Sequence, residues 1–159
     1  MPDIITTGEL LIDFSPVKAP GVENAVCPNP GGAPGNVAVQ LSRLGASAGF
    51  IGKVGDDSFG HTLKGCLEEN GVDVGNVVVD RDVRTTLAFV HLNSKGDRSF
   101  TFYRDPGADT QLRESEVDKS LISGCKLLHF GSLSLTTEPS RTTTLNLVKE
   151  ARGLGRMIS

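Results

Sequence analysis

The sequence predicts an α/β fold with a small β element projecting from its core. Three observations predict it. Apolar, β-prone runs alternate along the chain with segments of helical spacing, the pattern of strands separated by covering helices. Two of the helical segments run into a glycine, Gly45 and Gly71, while Asp56-Asp57 and Pro139 stand where helices begin. Between Thr85 and Arg104 the residues alternate around a turn-rich centre, as in a half-exposed hairpin.

From the N-terminus, Ile4 to Asp13 is apolar and β-prone, broken in the middle by Gly8-Glu9. A Pro/Gly-rich stretch from Pro16 to Pro34 leads to Asn36–Leu44, where Val37, Leu41 and Leu44 are helically spaced and Gly45 sits at the C-terminal cap position. Ala48–Val54 reads as a short buried strand. Gly55-Asp56-Asp57-Ser58 is a turn whose acids lead into a helix reaching Asn70. Strands are expected at Val77–Val79, Thr85–Leu92, Arg98–Arg104 and Leu127–Phe130, with Asn93-Ser94-Lys95-Gly96-Asp97 as the hairpin loop. Pro139 opens a helix to about Leu154 with Leu145, Val148 and Arg152 on one face. The final residues, after Gly155, read as the start of another strand. Because a half-made ladder leaves backbone groups unpaired, the chain is expected to be a truncated piece of a longer one.

The 159 residues are expected to form one domain. A net charge of −3 argues against nucleic acid or an anionic membrane as partner, and no apolar run approaches the ~18 residues of a membrane span. Met1-Pro2-Asp3-Ile4-Ile5 lacks the basic flank of a signal peptide. Cys27, Cys66 and Cys125 are widely spaced and odd in number, which excludes a disulfide framework and zinc pairs and suits a reducing cytoplasm.

Gly31-Gly32-Ala33-Pro34-Gly35-Asn36 is the strongest local feature. Its glycines allow close backbone approach to a ligand, and it runs into a helix N-terminus; equally, it could be a tight turn with Asn36 as the cap. It is neither a P-loop nor a Gly-x-Gly-x-x-Gly turn. Asp13, at a strand end, either caps a turn or faces the crevice of an open α/β sheet, where a carboxylate accepts two hydroxyls of a polyol. Phe100, Phe102 and Arg104 alternate onto one face, suited to packing or to covering a sugar ring, with Phe89 and Tyr103 nearby. His61, His91 and His129 have no metal-ligand spacing, and Asp56-Asp57 is read as a helix cap rather than a metal site.

Residues Gly31 to Ala38, then Gly45 and Gly55, resemble the first signature of the ribokinase/PfkB sugar kinases, and Gly8-Glu9-Leu10-Leu11-Ile12-Asp13-Phe14 is similar to the opening of the fructokinase branch. Gly52 to Gly60, Thr85 to Phe89, Phe102-Tyr103-Arg104, His129 to Ser132 and Ser134-Leu135 extend the resemblance along the chain. It implies a ribokinase-like fold, a doubly wound, mostly parallel sheet with helices on both faces, and a β-lid built from strands around 13–30 and 85–105. It also implies transfer of the γ-phosphoryl of ATP, with Mg²⁺, to a sugar hydroxyl. By position, Asp13 would bind hydroxyls, Gly31, Gly32 and Asn36 would contact the sugar, and Phe89, Phe102 and Arg104 would lie over it. A homodimer through the lids is expected. The family's second signature, which carries the catalytic base, the anion hole and the surrounding nucleotide site, has no counterpart here: no Gly-Ala-Gly-Asp run occurs. The chain is therefore expected to hold the sugar half of a kinase, with the C-terminal half missing and little activity alone. Fructose is the expected sugar. The alternatives are 2-keto-3-deoxygluconate, whose carboxylate would use Arg104, and a non-catalytic sugar-binding or assembly homologue.

Overall fold

The computed structural model describes residues 1–22, 24–92 and 95–159; Asn93 and Ser94 of the expected hairpin loop lie outside the described residues. Strands β1 (Ile4–Thr7), β2 (Leu11–Pro16) and β3 (Val26–Gly31) precede helix α1 (Ala33–Arg43). Strand β4 (Ala48–Gly55), helix α2 (Ser58–Glu69), β5 (Asp73–Asp80), β6 (Leu87–Leu92) and β7 (Arg98–Tyr103) follow. Two 3-10 turns, Ala108–Gln111 and Glu114–Glu116, lead to α3 (Ser120–Gly124), β8 (Leu127–Phe130), a third turn at Ser132–Leu135, α4 (Ser140–Gly153) and β9 (Met157–Ile158).

Five strands form a parallel sheet in the order β5-β4-β1-β8-β9. Every residue of β4 is buried, as expected of a central parallel strand covered on both faces. On one face Ala38 of α1 and Leu63 and Leu67 of α2 pack with Phe50 and Val54. On the other, Leu147 and Ala151 of α4 and Ile122 of α3 pack with Ile5, Ile51 and Leu128. This is the ribokinase-like arrangement.

The helix ends follow their local chemistry. Gly45 (φ 88°) lets its own N–H reach Ser42 O and the Ala46 N–H reach Leu41 O, closing α1 in a Schellman motif; Gly71 does the same for α2. The Asp57 carboxylate accepts from Gly60 N at 2.8 Å and caps α2 as read from sequence. Asn36 is not a cap. Helix α1 starts at Ala33, with Pro34 preset for its first turn, and Glu9 Oε1 accepts the Ala33 N–H at 3.0 Å from another part of the chain.

The β element is larger than a hairpin. Strands β3-β2-β6-β7 form a second sheet, antiparallel at both edges and parallel between β2 and β6. Gly8 (φ 146°) and Glu9 break the first apolar run into strands of two different sheets, so Asp13 lies within β2 rather than at the end of β1. Strand β5 begins at Asp73, four residues before the expected Val77, because the glycine cap of α2 feeds straight into it. The buried face of α4 is Ser140, Thr143, Thr144, Leu147 and Ala151, whereas Leu145 and Val148 are half-buried and Arg152 is exposed. Small hydroxyl residues fit there because they donate to backbone carbonyls packed against the helix, Thr143 Oγ1 to Leu112 O and Ser140 Oγ to Ser134 O. Residues 105–126 carry no legible period; their short turns are held by tertiary bonds. Among these, buried Lys53 donates to Glu116 Oε1 (2.6 Å), Gln111 O (3.0 Å) and Asp80 Oδ2 (3.1 Å).

Candidate functional site

Strand register sorts the candidate residues onto faces. Asp13 pairs with Asn29 on one side and Ala88 on the other, and Ala88 pairs with Phe102, so these four form a row on one face of the second sheet. One residue along, Phe14 pairs with Phe89 and points to the opposite face. There Phe14 stacks on Phe89 (4.8 Å) and meets Phe59 of α2 edge-on (5.8 Å), while Tyr103 abuts Phe89 (5.5 Å). The structure thus brings Phe102 onto the face of Asp13 and places Phe89 on the opposite face, half-buried and stacked on Phe14. Phe100 stacks against Phe102 at 5.9 Å, both about half exposed.

Asp13 is half-buried, and among the described residues none donates to its carboxylate. Burial pushes its carboxyl above the ordinary range. Gly31, which pairs with Leu11, lies diagonally across from it; a Cβ there would overlap Asp13 Oδ2 and press Leu11 Cδ1 at 3.1 Å. At Gly32 (φ 110°) a Cβ would run into the Glu9 backbone carbonyl. The diglycine is therefore required by close approach on both sides, against a carboxylate and against a backbone.

Below this turn lies the point where the parallel sheet changes direction, between β1 and β8, at their C-terminal ends. Glu9, 5% exposed, fills it: Oε1 accepts the Ala33 N–H, and Oε2, beside Gly131, is buried with no hydrogen-bond partner among the described residues. Burial drives the Glu9 carboxyl upward, opposed by the backbone N–H groups it accepts. Asn36 stands apart from the Asp13 row. It is exposed on α1 and, with Gly31, Asn29, Cys66 and Asn70, borders a cavity of about 310 Å³ between α1 and α2. Gly31 and Asn29 are the link between the two places.

Arg104 and Phe102 border an open cavity of about 330 Å³. The guanidinium is nevertheless nearly enclosed. Its Nε donates to Oδ2 of the fully buried Asp109 (2.8 Å), with Nη2 in ion-pair contact with the same oxygen (2.7 Å); Nη2 donates to Leu133 O (3.3 Å) and Nη1 to Thr136 Oγ1 (3.2 Å). Asp109 Oδ1 accepts a short hydrogen bond from Thr86. Asp109 escaped the sequence reading because a 3-10 turn has no periodicity to mark it. In the sequence Glu9 stands as a strand break and within the opening run of the family resemblance, with no role of its own, although an acid inside an apolar run is itself a signal.

The side chains of His61, His91 and His129 hydrogen-bond with Asp56, Thr101 and Ser159, respectively. Among the described residues no group of three or more His, Cys, Asp or Glu side chains could hold a metal ion, and no helix is long and apolar enough to cross a membrane.

The pfkB family carbohydrate kinase description matches residues 1–157. The chain is 48% identical over 160 residues to "Probable fructokinase-3" of Arabidopsis thaliana, covering 98% of this chain and 46% of that protein. It is 48% identical to "Fructokinase-1" of Zea mays, over 98% of this chain and 49% of the relative. The crystal structure of fructokinase from Xylella fastidiosa superposes with a TM-score of 0.90 at 35% identity, covering 99% of this chain and 50% of that one. The same enzyme with bound ATP gives 0.89 at 34% identity, over 99% and 48% of the two chains. The chain spans about half the length of the curated relatives it matches. With a family match from end to end and the fold to go with it, the chain belongs to the pfkB family of carbohydrate kinases.

Proposed function

We propose that this chain is the sugar-binding half of an ATP-dependent fructokinase, which converts fructose and ATP to fructose 6-phosphate and ADP. The observation that carries the reading is the Asp13 carboxylate, free of protein donors, on the open face of a sheet beside the glycine turn. An ionised carboxylate there accepts two adjacent hydroxyls of a furanose, and the missing side chains of Gly31 and Gly32 let the ring sit against backbone. Phe102 covers an apolar face of the ring, and Asn36 and an Nη1 hydrogen of Arg104, whose charge Asp109 offsets, supply donors at the margin. Phe89 takes no part in contact; it stiffens the sheet from behind through Phe14. In this reading the second sheet is the lid, and the 159 residues are one unit with it.

Phosphoryl transfer rests on positioned charge around the reacting phosphate. No Gly-Ala-Gly-Asp run supplies it here, so the chain by itself binds sugar without turning over ATP. Among the described residues no group of three or more His, Cys, Asp or Glu side chains could hold a metal ion, and the Mg²⁺ of the complete enzyme would be held mainly by residues outside this segment. The exposed aromatic surface of the second sheet suits a homodimer, and three unpaired cysteines suit the cytoplasm. Titration calorimetry with fructose tests the reading. Binding that Asp13→Ala abolishes is expected; a chain that takes no fructose overturns it. ADP release from fructose, ATP and Mg²⁺ above a protein-free blank, abolished by the same substitution, would overturn the assignment of inactivity.

A further inference from the structure

Arg104 is the one arginine bordering the cavity of Phe102 whose guanidinium is held by a buried acid, and that pairing decides what it can offer a ligand. An arginine has five N–H donors. Nε donates to Asp109, Nη2 donates to Leu133 while in ion-pair contact with the same Asp109 oxygen, and Nη1 donates to Thr136, so each of the three nitrogens is already engaged. The face of the fork that would grip a carboxylate bidentately is already occupied by a carboxylate, that of Asp109. The charge is matched as well, since Asp109 is wholly buried and Arg104 is its cationic partner. On the sheet face that Phe102 shares, the row Phe102–Ala88–Asp13 ends at the Asp13 carboxylate, which burial alone shifts.

We propose that Asp109 is a positioning residue that sets the charge specificity of the cleft: by neutralising Arg104 and turning its fork inward, it reserves the site for an uncharged polyol and rejects a sugar acid. The inference rests on the sugar-kinase reading of the cleft. A carboxylate entering it finds the Nε–Nη2 edge of Arg104 taken and its charge already offset by Asp109, where a free guanidinium would present two parallel, charge-assisted donors, and along the sheet face of Phe102 it meets Asp13 as a like charge. Thr86 completes the device. By donating to the other oxygen of Asp109 it fixes the carboxylate, and with it the arginine, at the point where the chain enters β6.

The test compares D-fructose with 2-keto-3-deoxygluconate, both titrated calorimetrically into this chain. The unaltered chain should bind fructose at least about tenfold more tightly than the acid. Asp109→Asn should narrow that ratio by about tenfold or more, about 1.4 kcal/mol, chiefly by gaining affinity for the acid. The gain should vanish in the double variant Asp109→Asn/Arg104→Met. The Arg104 Nε–H resonance, protected from solvent exchange in the parent, should become exchangeable in Asp109→Asn. Where Asp109→Asn does not fold, Arg104→Met alone decides, and it should weaken the acid no more than fructose. An unchanged ratio in Asp109→Asn, or a selective loss of acid binding of a hundredfold in Arg104→Met, overturns the role of Asp109 while leaving the cleft a sugar site. A chain that binds neither probe overturns the underlying kinase reading, and this inference with it.

Discussion

Asp13 shows how a functional residue works against the fold that holds it. Burial raises its carboxyl, so the folded chain holds this proton more tightly than the unfolded chain does. Stability therefore falls as pH rises from the ordinary carboxylate range through the folded value, and the penalty persists at neutral pH. Asp13→Asn removes the charge but keeps the shape. It should melt at the same temperature as the parent or higher at pH 7, lose that advantage below the carboxylate range, and bind no fructose. Thermal unfolding across pH, read beside calorimetry, checks both halves. Gly32 is the opposite case, a residue whose absence of side chain is the requirement. At φ 110°, with the Glu9 carbonyl where a Cβ would go, Gly32→Ala should cost more than about 2 kcal/mol in urea unfolding. Both positions were marked in the sequence by residue type. That Gly31 and Asp13 touch was not, because their contact depends on the register of β2 on β3.

At the scale of elements, two aspartates fasten the second sheet to the first at adjacent residues. Asp57 caps α2 and also receives the Thr85 N–H (2.9 Å) and hydroxyl (2.8 Å), while Asp109 receives Thr86 and Arg104. The sequence marked Asp57 as a cap and said nothing of the second task. Burial alone would push its carboxyl up, but the hydrogen bonds from Thr85 and Gly60 together outweigh it and hold the carboxyl below the ordinary range. A depressed carboxyl stabilises the fold above its unfolded pKa and loses that contribution as pH falls through the folded value. Asp57→Ala should thus cost about 1–2 kcal/mol at neutral pH for the cap alone. The deficit against the parent should shrink on acidification, as urea titrations at several pH values would read. Asp57→Asn, which keeps an acceptor for Gly60, should recover part of the loss and remove the pH dependence.

Across the whole molecule, the two faces of the second sheet have different fates. One packs on α2 through Phe14, Phe59 and Leu87. Beyond that packing the sheet leaves Leu92, Phe100, Phe102 and Tyr103 exposed at 55, 49, 45 and 65%. Apolar surface gathered in this way drives association. Sedimentation velocity at rising concentration should show reversible self-association, and Phe100→Ser combined with Leu92→Ser should weaken it without lowering fructose affinity. An unchanged association constant in the double variant would place the contact elsewhere on the molecule.

Sequence alone determined the features whose causes are local. Helix stops at Gly45 and Gly71 follow from the left-handed backbone that glycine tolerates, the α2 cap from the reach of one side chain, and the alternation of elements from periods of 3.6 and 2. The glycine turn, Asp13 and the family resemblance belong to the same class, since each is written in adjacent residues. Tertiary structure alone decided the long-range facts: that β2 leaves the parallel sheet to pair with β6, that Phe89 and Phe102 fall on opposite faces of the second sheet, and that α4 buries its threonines. It also decided that Arg104 is spent on Asp109. Periodicity states that side chains alternate but not which set faces inward, and a buried charge takes whichever partner the folded chain brings within hydrogen-bonding distance.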